Sequence, residues 1–240
     1  MVPLSYHELV DACGEEGCPM CYLAQRAERR HLEQVIYDSV NDPPTRARLR
    51  ESLGYCHEHA WQLTQAGAST PLGVAFIYRD LLNTVTKVLE QGGYERPSRR
   101  LSFSQVVETV DRNKPSTYTQ TAVQRLTPQK PCPACAHRDN MTTLYAIALM
   151  DALGENDARL RDLLAASDGL CLPHLRRSLE LARSETAVTT LFAIHIPKLK
   201  SLQAELTELI RKNDYRYTDE KVGEEGDSWL RALRTLVGNQ

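Results

Sequence analysis

A chain of 240 residues with 42% hydrophobic and 25% charged residues has the composition of a globular protein, long enough for one large domain or two of ordinary size. Its formal net charge of −2 gives no general attraction toward nucleic acid or an anionic membrane surface. The sequence lacks both a secretory signal and a stretch of ~18 apolar residues, so we expect a cytoplasmic protein with no membrane association.

Helix patterns dominate the first half of the chain. A short helix is expected after Ser5 as its N-cap, and a long helix from within Cys18-Pro19-Met20-Cys21 to about Val40. Asn41-Asp42-Pro43-Pro44 ends the long helix. The remaining helices of this half are expected over about 45–53, from 56 onward, and over about 71–90.

The second half repeats this order of helices, and we find no convincing alternating strand. The first of these helices is expected over about 134–153, and a short helix after it ends at about residue 166. Another begins at about residue 171, and a long helix then ends at about residue 211. Pro197 should kink or interrupt the last of these, and a final short helix spans about 228–237. The predicted fold class is therefore all-α, with an internal duplication of roughly 18–92 and 132–211.

The segment between the copies differs in character, because it is rich in proline, arginine and polar residues, with one plausible helix around 103–111. We predict one integrated unit built from four parts. These are an N-terminal helical copy over 1–92, a linker over 93–131, a C-terminal helical copy over 132–212, and a tail with the last helix over 213–240.

A cysteine–histidine pattern occurs twice, as C-P-x-C followed by G-x-C-x-x-H. Cys132 follows Cys18 by 114 residues and Cys171 follows Cys56 by 115, so the copies stay in register to one residue. Each copy supplies three thiols and one imidazole, the donor set of a closed tetrahedral zinc site. The predicted ligands are Cys18, Cys21, Cys56, His59, Cys132, Cys135, Cys171 and His174.

Each pair of donors is expected at the start of a helix, where free backbone N–H groups and the helix dipole favour thiolate. Pro19, Pro133 and Pro173 suit a first helical turn. Alignment of the copies matches His59 with His174, so His59 is the predicted ligand and His57 a surface or neighbouring residue.

These ligands predict two zinc ions per chain, and an iron–sulfur cluster is the alternative cofactor. We favour a site within each copy, because an in-register duplication suggests a self-contained unit. In the first copy the outward helix is longer than the return path, so that copy needs a tilt, a kink or ligands from the other copy. A redox disulfide is disfavoured because no βαβ pattern surrounds the C-P-x-C segments.

Other residues carry weaker signals. The arginines around residues 26–50 could form a nucleic-acid patch, but nearby acids favour a solvated helix face, and we expect no nucleic-acid binding. Cys13 is interpreted as a buried small residue, with a redox-active thiol as the alternative. No hydrolase, phosphate-loop or dinucleotide motif is present, which favours a non-enzymatic role.

The ordered motifs resemble those of an uncharacterised bacterial family described only as a domain of unknown function. The matching stretches are 18–21, 54–59, 132–135, 169–174, 214–216 and 227–232. The resemblance covers nearly the whole chain and implies one integrated unit. It also implies that Asp214, Tyr215, Arg216 and Arg231 matter, either in a salt-bridged tail or in a binding site.

Three functions remain open from the sequence. The first is a helical protein with structural zinc that acts as a binding or adaptor module for an unknown protein partner. The second is an iron–sulfur or thiol redox sensor. The third is an enzyme with a pocket between the two copies.

Overall fold

The computed structural model describes residues 4–65, 70–91, 117–217 and 219–239. In these segments the chain forms eleven α-helices and no strand, which confirms the all-α prediction. The predicted helix around 103–111 and part of the predicted linker lie outside the described residues.

The described helices of the first half are α1 (Leu4–Ala12), α2 (Pro19–Gln34), α3 (Pro43–Glu51), α4 (His57–Leu63), α5 (Thr70–Gln91) and α6 (Thr117–Arg125). Those of the second half are α7 (Pro133–Gly154), α8 (Ala158–Ala166), α9 (Leu172–Glu180), α10 (Glu185–Lys212) and α11 (Ser228–Val237). A π-helical turn over Val35–Ser39 continues α2, and 3-10 turns occupy Tyr215–Tyr217 and Glu224–Asp227.

The order of elements is the same in both halves, with a helix after each C-P-x-C, a short helix, a helix after each G-x-C, and a long helix. Helix α3 starts where Asp42 accepts a hydrogen bond from the Thr45 N–H, and α8 starts where Asp157 does the same for Leu160. The duplication itself stays an interpretation of the sequence.

The structure differs from the expected helices at three places. Ser5 lies inside α1 and is not its N-cap, since the helix already includes Leu4. Pro197 does not interrupt α10, because buried Ala187, Leu191 and Ile194 hold the helix in place against a local cost of about 3 kcal/mol. Helix α6 was not expected, since threonine and glutamine make up five of its nine residues.

The chain divides into two compact units that do not follow the two sequence copies. The first unit comprises Met1–Glu28 and His137–Gln240, and the second comprises Arg29–Ala136. The boundaries therefore fall inside α2 and α7. Each unit has its own apolar core and is described by itself below.

The core of the first unit is built around one face of α7, because Tyr145, Leu149 and Leu153 recur at helical spacing and are buried. These residues pack with buried side chains of α1, α2, α8 and α10, namely Leu9, Met20, Leu23, Leu160, Leu164 and Leu191. This core fixes the segments that carry Cys18 and Cys171.

The core of the second unit joins the end of α2 and its π-helical turn to α3, α4 and α5. Its buried apolar residues are Leu32, Val35, Ile36, Leu49, Tyr55, Leu63, Ile77, Leu81 and Ala134. Ile36 packs so closely against α5 that a Cβ at Gly73 would lie 2.9 Å from its Cδ1 atom. This core fixes the segments that carry Cys56 and Cys132.

The Leu149→Ala variant should lower the free energy of unfolding by about 2–5 kcal/mol, because the lost side chain leaves a cavity in the first core. Leu149 is 1% exposed, whereas Leu144 on the same helix is 54% exposed. The Leu144→Ala control should change stability by no more than about 0.5 kcal/mol. Chemical denaturation measures both, and equal effects would contradict this description of α7.

Candidate metal centres

The eight predicted ligands form two clusters within the described part of the chain. Cys18, Cys21, Cys171 and His174 form the first centre, in the first unit. Cys56, His59, Cys132 and Cys135 form the second centre, in the second unit. In each centre, one donor atom per residue lies within 4.8 Å of the other three.

The preferred pairing of ligands within each copy was wrong, and the alternative with ligands from the other copy is what the structure contains. Each centre takes its C-P-x-C from one copy and its C-x-x-H from the other. Helix lengths give the reason. Helix α2 with its π-helical turn covers about 30 Å, and the nine residues of α3 return only about 14 Å.

All four donor pairs occupy the same place on their helices, the N-cap residue and the third residue of the helix. The carbonyl groups of the four N-cap cysteines each accept the first helical hydrogen bond from the residue four positions later. These bonds are Tyr22 N to Cys18 O (3.1 Å), Ala60 N to Cys56 O (2.9 Å), Ala136 N to Cys132 O (3.0 Å) and Leu175 N to Cys171 O (2.8 Å). Each centre therefore lies between two helix N-termini, as predicted.

A glycine two residues before the N-cap turns the chain into each C-x-x-H helix. Gly54 has a φ of 98° and Gly169 a φ of 82°, a region that residues with a side chain rarely adopt. Space is also limited, since a Cβ at Gly54 would lie 2.9 Å from Leu81 Cδ1. A Cβ at Gly169 would lie 3.2 Å from both His195 Nε2 and Lys198 Cδ. This explains the glycine in both G-x-C motifs.

In the first centre, the imidazole of His174 faces three sulfur atoms. Its Nδ1 atom lies 3.5 Å from Cys18 Sγ, 3.4 Å from Cys21 Sγ and 3.1 Å from Cys171 Sγ. The Sγ atoms of Cys21 and Cys171 are 3.6 Å apart. The four donors therefore converge on one small space.

The second centre has the same arrangement around His59. Its Nδ1 atom lies 3.0 Å from Cys56 Sγ, 3.6 Å from Cys132 Sγ and 3.4 Å from Cys135 Sγ. The Sγ atoms of Cys56 and Cys135 are 3.7 Å apart. The two centres thus present the same donor atoms at similar separations.

These separations match the edges of a zinc tetrahedron. With Zn–S bonds of ~2.3 Å and Zn–N bonds of ~2.05 Å, tetrahedral angles give S–S edges of about 3.8 Å and S–N edges of about 3.6 Å. The S–S distances given above, one per centre, are 3.6 and 3.7 Å, and four S–N distances lie within about 0.2 Å of the expected edge, whereas those of Cys56 and Cys171 are about 0.5 Å shorter. The residues present therefore fit one tetrahedral metal ion per centre.

Electrostatics in the first centre favour a negatively charged sulfur. Hydrogen bonds from the thiols of Cys171 and Cys18 hold the pKa of Cys21 well below its ordinary value. Burial lowers the pKa of His174, but its hydrogen bonds with Cys171 and Cys21 outweigh burial and raise that pKa to about 9. Burial raises the pKa of Cys18. The centre already stabilises one thiolate, the form that binds metal.

In the second centre, the pKa values of two thiols are shifted in opposite directions. Burial opposes ionisation of Cys56, but the backbone and ring of His59 and the Cys135 thiol lower the pKa of Cys56 to about 7. Burial and the nearby Cys132 raise the pKa of Cys135 to about 12. A divalent cation would have to displace the remaining protons, so metal affinity should increase with pH.

The other histidines and the seventh cysteine lie outside both centres. His57 is exposed and contacts Trp61 edge-on. His195 is buried, accepts a hydrogen bond from Leu170 N–H at 2.8 Å, and places Nδ1 2.8 Å from Leu191 O. Cys13 is buried, and burial raises the pKa of its thiol to about 11. Cys13 is thus a protonated core residue in this structure.

The basic segment near the second centre makes contacts within its own unit. Arg46 and Arg50 both pair with Asp80 of α5, and Arg46 Nη1 also donates to Phe76 O at 2.6 Å. Arg48 donates to Thr45 Oγ1 at 3.2 Å. Arg46 and Arg50 therefore join α3 to α5, whereas Arg48 bonds within α3.

The residues singled out near the C-terminus divide into two groups. Asp214 and Arg216 form an exposed ion pair across the 3-10 turn that contains Tyr215. Arg231 instead pairs with Glu205 of α10 and with Asp227, and it donates to Glu224 O at 3.2 Å. Arg231 therefore attaches α11 to α10.

A cavity of about 520 Å³ lies in the first unit beside the first centre. Cys18 and Cys171 of that centre line the cavity, and its charged residues contact one another or the backbone. Lys198 Nζ donates to the carbonyls of Ala165 and Ser167, and Asp168 accepts from Gly17 N–H. Arg231 and Arg234 pair with Glu205 and Glu16. These contacts hold the charged side chains that line the cavity against one another and against the backbone.

Two residues next to the first centre were missed by the sequence reasoning. Asn239 N–H donates to Cys21 Sγ at 3.4 Å, and Gly238 lies against the same sulfur. No pattern marks them, because they follow the last helix and are distant in sequence from every ligand. Only the packing of α11 brings them to the centre.

The Gly169→Ala variant should be destabilised by at least about 1–2 kcal/mol, the cost of a left-handed residue with a side chain. Close contacts with His195 and Lys198 add to this cost. Gly14→Ala is the matched control, since Gly14 is exposed and its Cβ would meet only Asp11 O at 3.4 Å. Thermal unfolding measures both variants. A stability equal to that of the control would contradict the left-handed turn before Cys171.

Comparison with known proteins finds relatives without an assigned function. The chain is 25% identical over 237 residues to an uncharacterized 23.9 kDa protein in the xynA 3' region of Caldicellulosiruptor sp. (strain Rt8B.4). This similarity covers 97% of the chain and 100% of that protein. No solved structure matches the chain significantly. Among the described helices, none has the length and apolar character needed to cross a bilayer.

A family match extends over residues 7–240, almost the full length of the chain. It confirms the resemblance to an uncharacterised family that the ordered cysteine and histidine motifs indicated. The chain belongs to DUF6062, a family of unknown function.

Proposed function

We propose that each centre holds one zinc ion and that the protein is a zinc-stabilised helical module that acts by binding a protein partner. Cys18, Cys21, Cys171 and His174 would hold one ion, and Cys56, His59, Cys132 and Cys135 the other. The observation that carries the proposal is the convergence of three sulfurs and one nitrogen at tetrahedral edge distances, in both centres.

The short distances favour a single ion over an iron–sulfur cluster. In a cluster, the protein ligands bind different iron atoms, which spreads the donor atoms further apart than the edges of one tetrahedron. Donors that all lie within 4.8 Å of one another suit a single ion. Zinc suits a set of three thiolates and one neutral imidazole better than the harder cations do.

A structural role follows from the number of ligands. Four protein donors fill a tetrahedral zinc ion and leave no position for a water or substrate, so hydrolytic catalysis is disfavoured. The ion would instead fix two helix N-termini against each other in each unit. With the metal in that role, the activity of the protein would lie in its surface, which is why we favour a binding or adaptor function.

A reducing compartment fits this role. Every cysteine of the chain lies in a described segment, and each is a free thiol. Disulfide formation between neighbouring sulfurs would remove the thiolates that the metal needs, so we place the protein in the cytoplasm.

Zinc content in double variants tests both the metal and the pairing. Cys21→Ser and His174→Ala should each leave about one zinc ion per chain, and the double variant should also keep about one, because both residues serve the first centre. Cys21→Ser combined with His59→Ala should leave none. Elemental analysis decides, with Cys13→Ser as a control that retains about two ions.

Pairing within each sequence copy would give the reverse result. In that case Cys21 and His174 would belong to different sites, and their double variant would lose both ions. Iron with acid-labile sulfide and visible absorption after anaerobic purification would favour the iron–sulfur alternative. Absence of any bound metal in the wild-type protein would overturn the proposed function.

Removal of metal should destabilise the protein strongly. Apparent binding free energies for structural zinc reach roughly 10–16 kcal/mol in small zinc-binding peptides, and much of that energy supports folding. Addition of a strong chelator should therefore lower the unfolding temperature and the helical circular dichroism signal, and added zinc should restore both. An unchanged unfolding temperature after verified metal removal would contradict a structural role.

A further inference from the structure

The C-terminal residues lie directly on the sulfur atoms of the first centre. Asn239 N–H donates to Cys21 Sγ at 3.4 Å. A Cβ at Gly238 would lie 3.3 Å from Cys21 Sγ and 3.7 Å from Cys171 Sγ, so backbone packs against both thiols. Gly238 and Asn239 thus cover one side of this centre.

Glu16 and Gly17, which precede Cys18, contact Asn239 and α11 on the side away from the sulfur atoms. The side chain of Asn239 lies so close that a Cβ at Gly17 would be 2.3 Å from it, and its Nδ2 atom is 3.5 Å from Glu16 O. The Glu16 carboxylate forms an ion pair with Arg234 of α11. Gly238 and Asn239 therefore lie between the sulfur atoms of the first centre and the segment that leads into α2.

The attachment of α11 relies on polar contacts more than on apolar burial. Ser228 is the buried residue of this helix. Its large apolar side chains are exposed, namely Trp229, Leu230, Leu233, Leu236 and Val237. Partly exposed ion pairs of Arg231 and Arg234 connect it to α10 and to Glu16. Salt screens such pairs, so the helix can detach more readily than a helix with a buried apolar face.

The two centres differ in how well their sulfurs are covered. Cys18, Cys21 and Cys171 are buried, whereas Cys56, Cys132 and Cys135 are partly exposed. Exchange of a bound metal requires an incoming chelator or protein ligand to reach a sulfur or the ion. The sulfur atoms of the second centre are therefore easier to reach than those of the first.

We propose that α11 with Gly238 and Asn239 is a gate that controls metal exchange and thiol access at the first centre, an inference that rests on the proposed zinc function. The first centre then exchanges its ion slowly and only after α11 detaches. The second centre exchanges its ion faster, independently of α11. One chain thereby carries one slowly exchanging ion and one rapidly exchanging ion.

Release of zinc to an excess of the chromogenic chelator 4-(2-pyridylazo)resorcinol tests the gate in the full-length protein. Two phases of about one ion each are expected, one per centre. The Cys135→Ser variant lacks the second centre and should lose the fast phase. Alkylation with N-ethylmaleimide, followed by peptide mass spectrometry, should modify Cys56, Cys132 and Cys135 before Cys18, Cys21 and Cys171.

A pair of variants at Asn239 isolates the hydrogen bond to Cys21. Asn239→Pro removes the backbone donor, and Asn239→Ala keeps that donor while it removes the side chain. Asn239→Pro should accelerate the slow phase roughly tenfold relative to Asn239→Ala, as expected for loss of one hydrogen bond to a charged sulfur. The fast phase should not change in either variant.

A second pair of variants tests the attachment of α11. Arg234→Gln removes the ion pair with Glu16 and should accelerate the slow phase. Arg216→Gln removes the exposed pair with Asp214, away from the gate, and should have no effect. Higher ionic strength, from about 0.05 to about 0.5 M, should accelerate the slow phase in the wild type and less so in Arg234→Gln.

The outcomes separate the gate from the zinc function itself. Wild-type protein that binds no metal would overturn the proposed function. Wild-type protein that binds two ions and releases both in one phase would overturn the gate alone. Equal release rates in Asn239→Pro and Asn239→Ala, together with no effect of Arg234→Gln, would do the same.

Discussion

The structure depends on one geometric constraint, which is that each pair of metal donors occupies the N-cap and third positions of a helix. Side chains at these positions point past the end of the helix, where free N–H groups and the helix dipole favour negative sulfur. Two such ends can meet around one ion, as Cys18 and Cys21 meet Cys171 and His174. The proline after Cys18 and Cys132, the glycine before Cys56 and Cys171, and the cores behind each helix all serve this meeting of helix ends.

Because each centre takes ligands from both sequence copies, its ligands are far apart in the sequence. The first centre joins residues about 150 positions apart, and the second joins residues more than 70 apart. Local contacts alone form helices but do not bring such distant segments together, and closure of long loops has an entropic cost. A metal ion in each centre would offset part of that cost. The ion of the first centre would also couple the folding of the N-terminal segment to the folding of α9, which lies in the same unit.

The two centres share donor atoms but not surroundings. Around the first, the sulfurs are buried, the Asn239 N–H group donates to Cys21 and an ion pair connects α11 to Glu16. Around the second, the sulfurs remain partly exposed. Surroundings that orient and shield ligands tune a metal site as much as the ligands do. Two sites with the same donor atoms would therefore differ in how tightly they hold a metal ion.

The sequence alone determined the helices and the identity of the clustered residues, because both depend on local patterns. Apolar spacing marked α2, α5 and α10, and the in-register repeat selected His59 over His57. Only the tertiary structure decided which donors meet, since that depends on helix lengths and on the cores around Leu149 and Leu63. It also decided the covering of Cys21 by Gly238 and Asn239, because a contact between residues 218 positions apart leaves no local pattern.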